Sequence, residues 1–344
     1  MMIPCVTEKK LSHLKNLLGE AERITVLAHT HPDGDAIGSA TAMCSFLKEC
    51  MGKSPVCILP DTAPEQLKFI IPDDITFFFA DKELHKAQER IAGAELIILI
   101  DCNGFSRTEQ LAGVCSEASA RKILIDHHLN PQQEEFDLVF STPDVSSASE
   151  LLFWILRGLH KGDLPQKARE ALLAGMTTDT NNFSNSVFPS TFEMASWLIA
   201  AGTDRDTILG CIYNSYRENR IRLMGYMQSH EMHITPEGAA YMVMTKEIQD
   251  RFGYLEGETE GLVNVPLAIG KVRLSILATE SSGTFRISIR SKKGTSAQRM
   301  AADFFHGGGH ENAAGGKIII GEDIASPAEA PSHIKSIVKT FFAQ

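Results

Sequence analysis

At 344 residues the chain is long enough for two domains, and 43% hydrophobic residues with few low-complexity stretches make it an ordinary globular protein able to bury sizeable cores. Its net charge of −10 argues against extended duplex nucleic acid as a partner. Seven cysteines, at 5, 44, 50, 57, 102, 115 and 211, form no C-x-x-C pair, which argues against a disulfide framework or a zinc knuckle and fits a reducing cytoplasm.

Met1–Lys10 lacks a basic stretch followed by an apolar one, and no apolar run reaches the roughly 18 residues of a membrane span, so neither a signal peptide nor a membrane anchor is expected. The acid is unevenly placed. From Glu237 onward 12 Lys and Arg face 12 Asp and Glu, so residues 1–236 hold 21 against 31 and carry the whole net charge. Much of that acid reads as metal ligand, neutralised by bound dications. A short anionic substrate is compatible with it.

In chain order, Leu11, Leu14, Leu17 and Leu18 predict an amphipathic helix over Glu8–Glu20. Strands are predicted at Ile24–His29, Val56–Leu59, Thr76–Phe79, Leu96–Asp101 and Lys122–His128. Between them lie helices at Ala36–Cys50, Glu65–Ile70, Lys82–Ile91 and Ser106–Ala112. Runs such as Leu96–Ile100 are apolar without alternation, as strands buried on both faces are, which predicts a mainly parallel sheet flanked by helices. Further helices are predicted at Ser147–Leu159, Gln166–Met176, Thr191–Ala201 and Asp204–Tyr213. Arg217–His233 reads as a connecting helix, with the boundary near Thr235-Pro236. The remainder predicts strands at Ala239–Thr245, Val272–Ala278, Thr284–Arg290 and Lys317–Ile320, with helices at Ser296–Phe305 and Ala330–Phe342. The expected architecture is α/β throughout: a catalytic domain over 1–214, a connector over 215–235, and a smaller α/β domain with a mixed sheet over 236–344.

The chemistry concentrates at strand ends. His29, Asp33 and Asp35 follow the first strand, Asp101 follows Leu96–Ile100, and Asp126, His127 and His128 follow Ile123–Ile125. In an open α/β sheet the carboxyl ends of the strands form the ligand crevice, so these side chains converge. Asp179, after a helix and before a polar loop, is a further candidate. Taken alone, Asp33 and Asp35 could simply cap the next helix. Four independent placements favour a metal centre. Carboxylates with a minority of imidazoles and no thiolate suit manganese or magnesium, with iron or cobalt also compatible. The count exceeds one ion's needs, and two ions about 4 Å apart are the arrangement that hydrolyses phosphate esters.

The combination of H-x-x-x-D-x-D at 29–35, Asp101, Asp126-His127-His128, Asp179-Thr180 and Gly307-Gly308-Gly309-His310 with Ala313-Ala314-Gly315-Gly316 resembles the DHH phosphoesterase superfamily. Within it, the whole chain is most similar to the oligoribonuclease branch, also described as acting on 3′-phosphoadenosine 5′-phosphate. The resemblance implies two Mn2+ ions, with Mg2+ or Co2+ as substitutes. His29, Asp33 and Asp101 would hold one ion; Asp35, Asp101, His127 and Asp179 would hold the other, with Asp101 bridging. It also implies that His128 contacts the scissile phosphate and that Asp126 orients its neighbours. Members often carry a basic residue after the phenylalanine that follows Asp179, whereas this chain reads Asn181-Asn182-Phe183-Ser184.

The second domain reads independently as an anion grip. The period of two in Arg286–Arg290 puts Arg286, Ser288 and Arg290 on one face. Lys292 and Lys293 read as solvated. Gly308 and Gly309 let the backbone approach a ligand, and a helix is expected to begin at Glu311 beside His310. His31 is read as a loop residue, and Trp154 and Trp197 as core. The expected reaction is hydrolysis of short single-stranded RNA or dinucleotides to nucleoside 5′-monophosphates, and of 3′-phosphoadenosine 5′-phosphate to AMP, with the two domains closing over substrate. The expected setting is cytoplasmic, without membrane or long-duplex partners, and a homodimer is compatible with the sequence.

Overall fold

Apolar runs without alternation need cover on both faces, and the fold supplies it. The structure, a computed structural model, describes residues 3–344 apart from the His310 side chain, so that expected substrate contact lies outside the described residues. The chain divides into two compact units, Met1–Ser215 and Tyr216–Gln344.

The first unit runs α1 (Glu8–Glu20), β1 (Ile24–Leu27), α2 (Gly34–Met51), β2 (Val56–Leu59), β3 (Thr76–Phe79), α3 (Ala80–Ala92), β4 (Leu96–Ile100), α4 (Ala112–Glu117), β5 (Arg121–Asp126), β6 (Leu138–Ser141), α5 (Ala148–Leu159), α6 (Gln166–Asp179), α7 (Pro189–Ala200) and α8 (Arg205–Tyr213). Its six strands are all parallel, in the order β3-β2-β1-β4-β5-β6. The order reverses between β1 and β4, which opens a crevice at their carboxyl ends. All five residues of β4 are buried. Helix α2 is buried continuously from Gly34 to Leu47, which explains its small residues: it packs on the sheet while α5 and α6 cover it.

The second unit runs α9 (Glu218–Tyr226), β7 (His233–Ile234), β8 (Ala239–Met244), α10 (Lys246–Phe252), β9 (Leu274–Ser281), β10 (Thr284–Ser291), α11 (Ala297–Phe304), β11 (Gly308–His310), β12 (Ala313–Ile319) and α12 (Ala330–Ala343). The strand order is β11-β12-β10-β9-β8-β7, with β8 and β9 parallel and the other pairs antiparallel, so the sheet is mixed. Phe285, Ile287 and Ile289 of β10 pack with Met300 of α11 and with Ile334 and Val338 of α12. Met242, Met244 and Leu277 point the other way, against Leu223, Met227, Ile248 and Leu262.

Three expectations change. The segment Arg217–His233, read as a connector, holds α9, a π turn and β7. Leu223 and Met227 are fully buried in the core of the second unit, because their four-residue spacing gives the helix an apolar face for that sheet. No helix begins at Glu311; Gly308–His310 and Ala313–Ile319 form a β-hairpin instead, since β12 has a partner in β10 along its whole length. Strand β6, not anticipated, completes the first sheet at the β5 edge. Among the described residues no helix is long and apolar enough to cross a membrane.

Candidate metal centre

Every expected ligand of the first unit lies just beyond a strand or at a helix end. His29, two residues past β1, is 5% exposed. Its Nδ1–H donates to the Thr30 carbonyl at 2.7 Å, which turns Nε2 toward the carboxylates: 3.5 Å to Asp101 Oδ2 and 3.9 Å to Asp33 Oδ1. Asp33 does cap α2, its Oδ1 accepting from the Asp35 and Ala36 amides at 3.0 Å each. The cap also fixes this carboxylate beside His29, where it could serve as a ligand.

Asp35 points the other way from the same turn. Its Oδ2 accepts from the Ala148 amide at 2.6 Å and its Oδ1 from the Ser149 amide at 2.9 Å, so a residue of α2 caps α5. Asp101 directly follows β4 with φ 61°, a left-handed conformation that Asp tolerates and that turns its side chain back over the sheet end. One carboxylate oxygen faces His29. The other, Oδ1, lies 3.4 Å from His127 Nε2. His127 Nε2 also lies 3.9 Å from Asp35 Oδ2 and 3.7 Å from Asp179 Oδ2.

The approach of Asp179 depends on glycines. Helices α2 and α6 pack antiparallel, with Gly34 against Thr178 and Gly38 against Ala171 and Gly175. A Cβ on Gly38 would lie 2.5 Å from the Ala171 carbonyl oxygen, so only a glycine allows this spacing. The contact brings the carboxyl end of α6, and Asp179 with it, to the amino end of α2. Loops are tied across the crevice as well. The Gln132 amide donates to the Asn103 carbonyl at 2.8 Å, and the Thr30 amide to the Arg107 carbonyl at 2.9 Å.

Two groups that could hold a cation result, His29 with Asp33 and Asp101, and Asp35 with His127 and Asp179; Asp101 also groups with His127 and His128. His128 stands apart in one respect: its Nδ1–H donates to Asp126 Oδ1 at 2.7 Å, and Asp126 is fully buried. His31 is exposed beside Asp61 and joins neither group. Trp154 and Trp197 pack on Phe153, as expected of core residues.

Electrostatically the centre is short of positive charge. Burial would lower the His29 pKa, yet Asp101 and Asp33 raise it to about 9. Burial likewise opposes the charge on His127, and Asp101, Asp35 and Asp179 overcome it, to about 10. Asp179 is pushed up to about 7 by burial and by the charges of Asp101 and Asp33, at the carboxyl end of a helix whose dipole adds to the repulsion. Burial also lifts Asp35 well above the ordinary carboxylate range, with Asp101 and Asp179 adding to it. The buried Asp101 Oδ1 has no hydrogen-bond partner. Oxygen and imidazole donors in this pattern fit hard or borderline divalent cations.

In the second unit, β10 places Arg286, Ser288 and Arg290 on one face, as expected. Strand pairing extends two rows across the sheet on that face: Ser288, Gly315 and Gly308, then Arg290, Ala313 and His310. The first of these rows is almost bare of side chains. Arg290 is half-buried, burial works against its charge, and Nη1 donates to the Ile289 carbonyl. Arg286 is exposed and pairs with Glu256 at 3.1 Å, while Lys292 donates to the Ile269 carbonyl.

Four glycines around this floor play different parts. A Cβ on Gly307, Gly309 or Gly316 would strike backbone at 2.0, 2.7 and 2.3 Å, whereas one on Gly308 would meet nothing within 4 Å. Sequence reasoning missed this distinction, as it missed Gly38, Gly175 and the Asp35 cap. A G-x-x-x-G spacing at Gly34 and Gly38 was the available signal.

Comparison with known proteins follows the same division. Residues 23–176 match the DHH family, N-terminal domain, and residues 239–339 match the DHHA1 domain. The probable bifunctional oligoribonuclease and PAP phosphatase NrnA of Streptococcus mutans is 26% identical over 85% of this chain and 88% of its own length. The cyclic-di-AMP phosphodiesterase GdpP of Geobacillus thermodenitrificans is 27% identical over 58% of this chain, which spans only 31% of that protein. Among solved structures, an exopolyphosphatase-related protein from Bacteroides fragilis is 32% identical, aligned over 99% of both chains with a TM-score of 0.91.

Proposed function

The chain belongs to the DHH family, and from that premise we propose that it is a two-metal phosphodiesterase of short oligoribonucleotides that also removes the 3′-phosphate of 3′-phosphoadenosine 5′-phosphate. The observation that carries the reading is Asp101, whose two carboxylate oxygens face His29 and His127 at 3.5 and 3.4 Å, one toward each ligand group. His29, Asp33 and Asp101 would hold one ion, and Asp35, Asp101, His127 and Asp179 the other. A pair of divalent cations, Mn2+ in this reading, supplies Lewis-acid polarisation of a phosphoryl group and acidification of water.

The remaining roles belong to the chain. His128, its Nδ1–H held by Asp126, keeps Nε2 for a phosphoryl or leaving oxygen of the substrate. Arg290 and the glycine-floored rows of the second unit bind a non-scissile phosphate, where backbone amides and a desolvated guanidinium favour an anion. The test is a time course on end-labelled RNAs of two to ten nucleotides with Mn2+ and with chelator. Products should be nucleoside 5′-monophosphates, formed fastest from the shortest substrates and undetectably with chelator. Turnover that survives exhaustive chelation would exclude the metal centre.

A second expectation concerns the grip. Gly308→Val should fold normally, because a Cβ at this position meets nothing within 4 Å, and should raise KM for dinucleotides by about tenfold or more with kcat little changed. Arg290→Ala should behave alike and leave bound metal intact. Equal loss of metal in either variant would argue against a separate substrate role.

A second reading is favoured by the similarity to the cyclic-di-AMP phosphodiesterase: a hydrolase of linear or cyclic dinucleotide messengers. A competition of pApA, cyclic di-AMP and 3′-phosphoadenosine 5′-phosphate separates the two.

A further inference from the structure

From Thr180 to Phe192 the chain carries no charged side chain, although it begins beside a centre of four carboxylates. Asn181, Asn182 and Phe183 take φ values of 46°, 52° and 65°, a left-handed turn that Asn accepts readily and a bulky residue resists. The turn is held firmly: the Asn182 amide donates to the Thr177 carbonyl at 2.8 Å, Phe183 to Thr180 Oγ1 at 3.1 Å and Ser184 to the Thr180 carbonyl at 2.9 Å. Strain held this firmly marks a shaped position.

Its result is an aromatic stack. Phe183 lies against Phe192 of α7 with ring centroids 5.3 Å apart and planes within 15°. Phe183 is partly buried against the main core, so one side of the pair is anchored. Phe192 is 53% exposed. In the same loop Asn181, Ser184, Asn185 and Ser186 are exposed neutral donors and acceptors, and Asn182 Oδ1 accepts from Arg205 Nη2 at 3.2 Å.

We propose that Phe192, backed by Phe183, is the stacking platform for the nucleobase adjoining the scissile phosphate, with the neutral loop facing its sugar and base edges. The inference rests on the oligonucleotide reading above and adds a specificity-determining residue to it. Every base has a π-face, so such a platform selects for a base without selecting which one. The loop itself supplies no cation, and the Arg205 guanidinium that reaches it is taken up by Asn182 Oδ1 at 3.2 Å and Asp206 Oδ1 at 3.3 Å; a neutral heterocycle is what an apolar ring beside amides and hydroxyls recognises.

The test compares a dinucleotide with an analogue in which both bases are replaced by hydrogen, using Phe192→Ala, Phe192→Leu and Phe192→Trp. Leu keeps the apolar cover over Phe183 without the ring, which separates stacking from packing. Ala and Leu should raise KM for the dinucleotide roughly tenfold, with kcat and the abasic KM within about twofold, and Trp should retain the wild-type KM. A wild-type KM in Phe192→Leu, or equal rises on both substrates, overturns the proposal while leaving the phosphodiesterase reading intact. A wild-type protein that cleaves pyrophosphate or polyphosphate but no base-bearing substrate overturns that reading, and the stack with it.

Discussion

Asp101→Asn should lower kcat by at least about 10³-fold, equivalent to roughly 4 kcal/mol of transition-state stabilisation, and reduce bound metal from two ions to one or fewer. Asparagine is the informative replacement. It keeps the shape of the side chain and tolerates the φ of 61° at this position, so the turn beyond β4 survives. What it loses is one of two anionic oxygens, and with it the ability to face His29 and His127 as an acceptor on both sides. Its amide nitrogen is a donor that repels a cation. The measurements are kcat on a dinucleotide, metal content after gel filtration, and thermal unfolding as a control on the fold. A variant with more than a tenth of wild-type turnover and two bound ions would remove Asp101 from the bridging position.

The second large effect is on the scaffold. Gly38→Ala would ordinarily stabilise a helix by about 1 kcal/mol, through lower chain entropy in the unfolded state and better helix propensity. Here the new methyl would stand 2.5 Å from the Ala171 carbonyl oxygen and 3.0 Å from Gly175 Cα, both of them backbone that cannot rotate away. Overpacking of this kind costs about 1–3 kcal/mol and sometimes more, so the steric term wins. We expect a net loss of about 1–3 kcal/mol, a fall in Tm of about 3–10 °C, and weaker metal binding, because the helices part where Asp35 and Asp179 converge. Gly210→Ala, in the middle of α8 with nothing within 4 Å of the added atom, should be neutral or mildly stabilising. If both variants melt like the wild type, the glycine contact does not set the helix spacing.

These two residues also show what could be read in advance. Asp101 was legible because Leu96–Ile100 is an uninterrupted apolar run, and a polar residue ending such a run lies at the crevice of a parallel sheet. His29 and the Asp126–His128 segment announced themselves the same way. Gly38 was not legible as a packing contact, since its partner lies over 130 residues away and no local pattern encodes that distance. Helix α6, expected over Gln166–Met176, is buried through Thr177 and runs on to Asp179. Strand β6 is only four residues, alternately buried, at the sheet edge, and follows an acidic stretch. The hairpin at Gly308–Ile319 defeats propensity outright. Alanine and glycine are poor strand formers, and pairing with β10 on one side and β11 on the other makes Ala313–Gly316 a strand.

The contrast between Gly308 and its neighbours has an evolutionary side. Gly307, Gly309 and Gly316 are pinned by backbone packing, so drift there threatens the second unit itself. Gly308 is under no such constraint. Substitution there would add one side chain to the floor beside Arg290, the surface proposed above to take a phosphate, with no backbone contact to oppose it. On the proposed role of this floor, a lineage could thus retune the size of substrate it accepts through a single codon while leaving the packing of the second unit untouched.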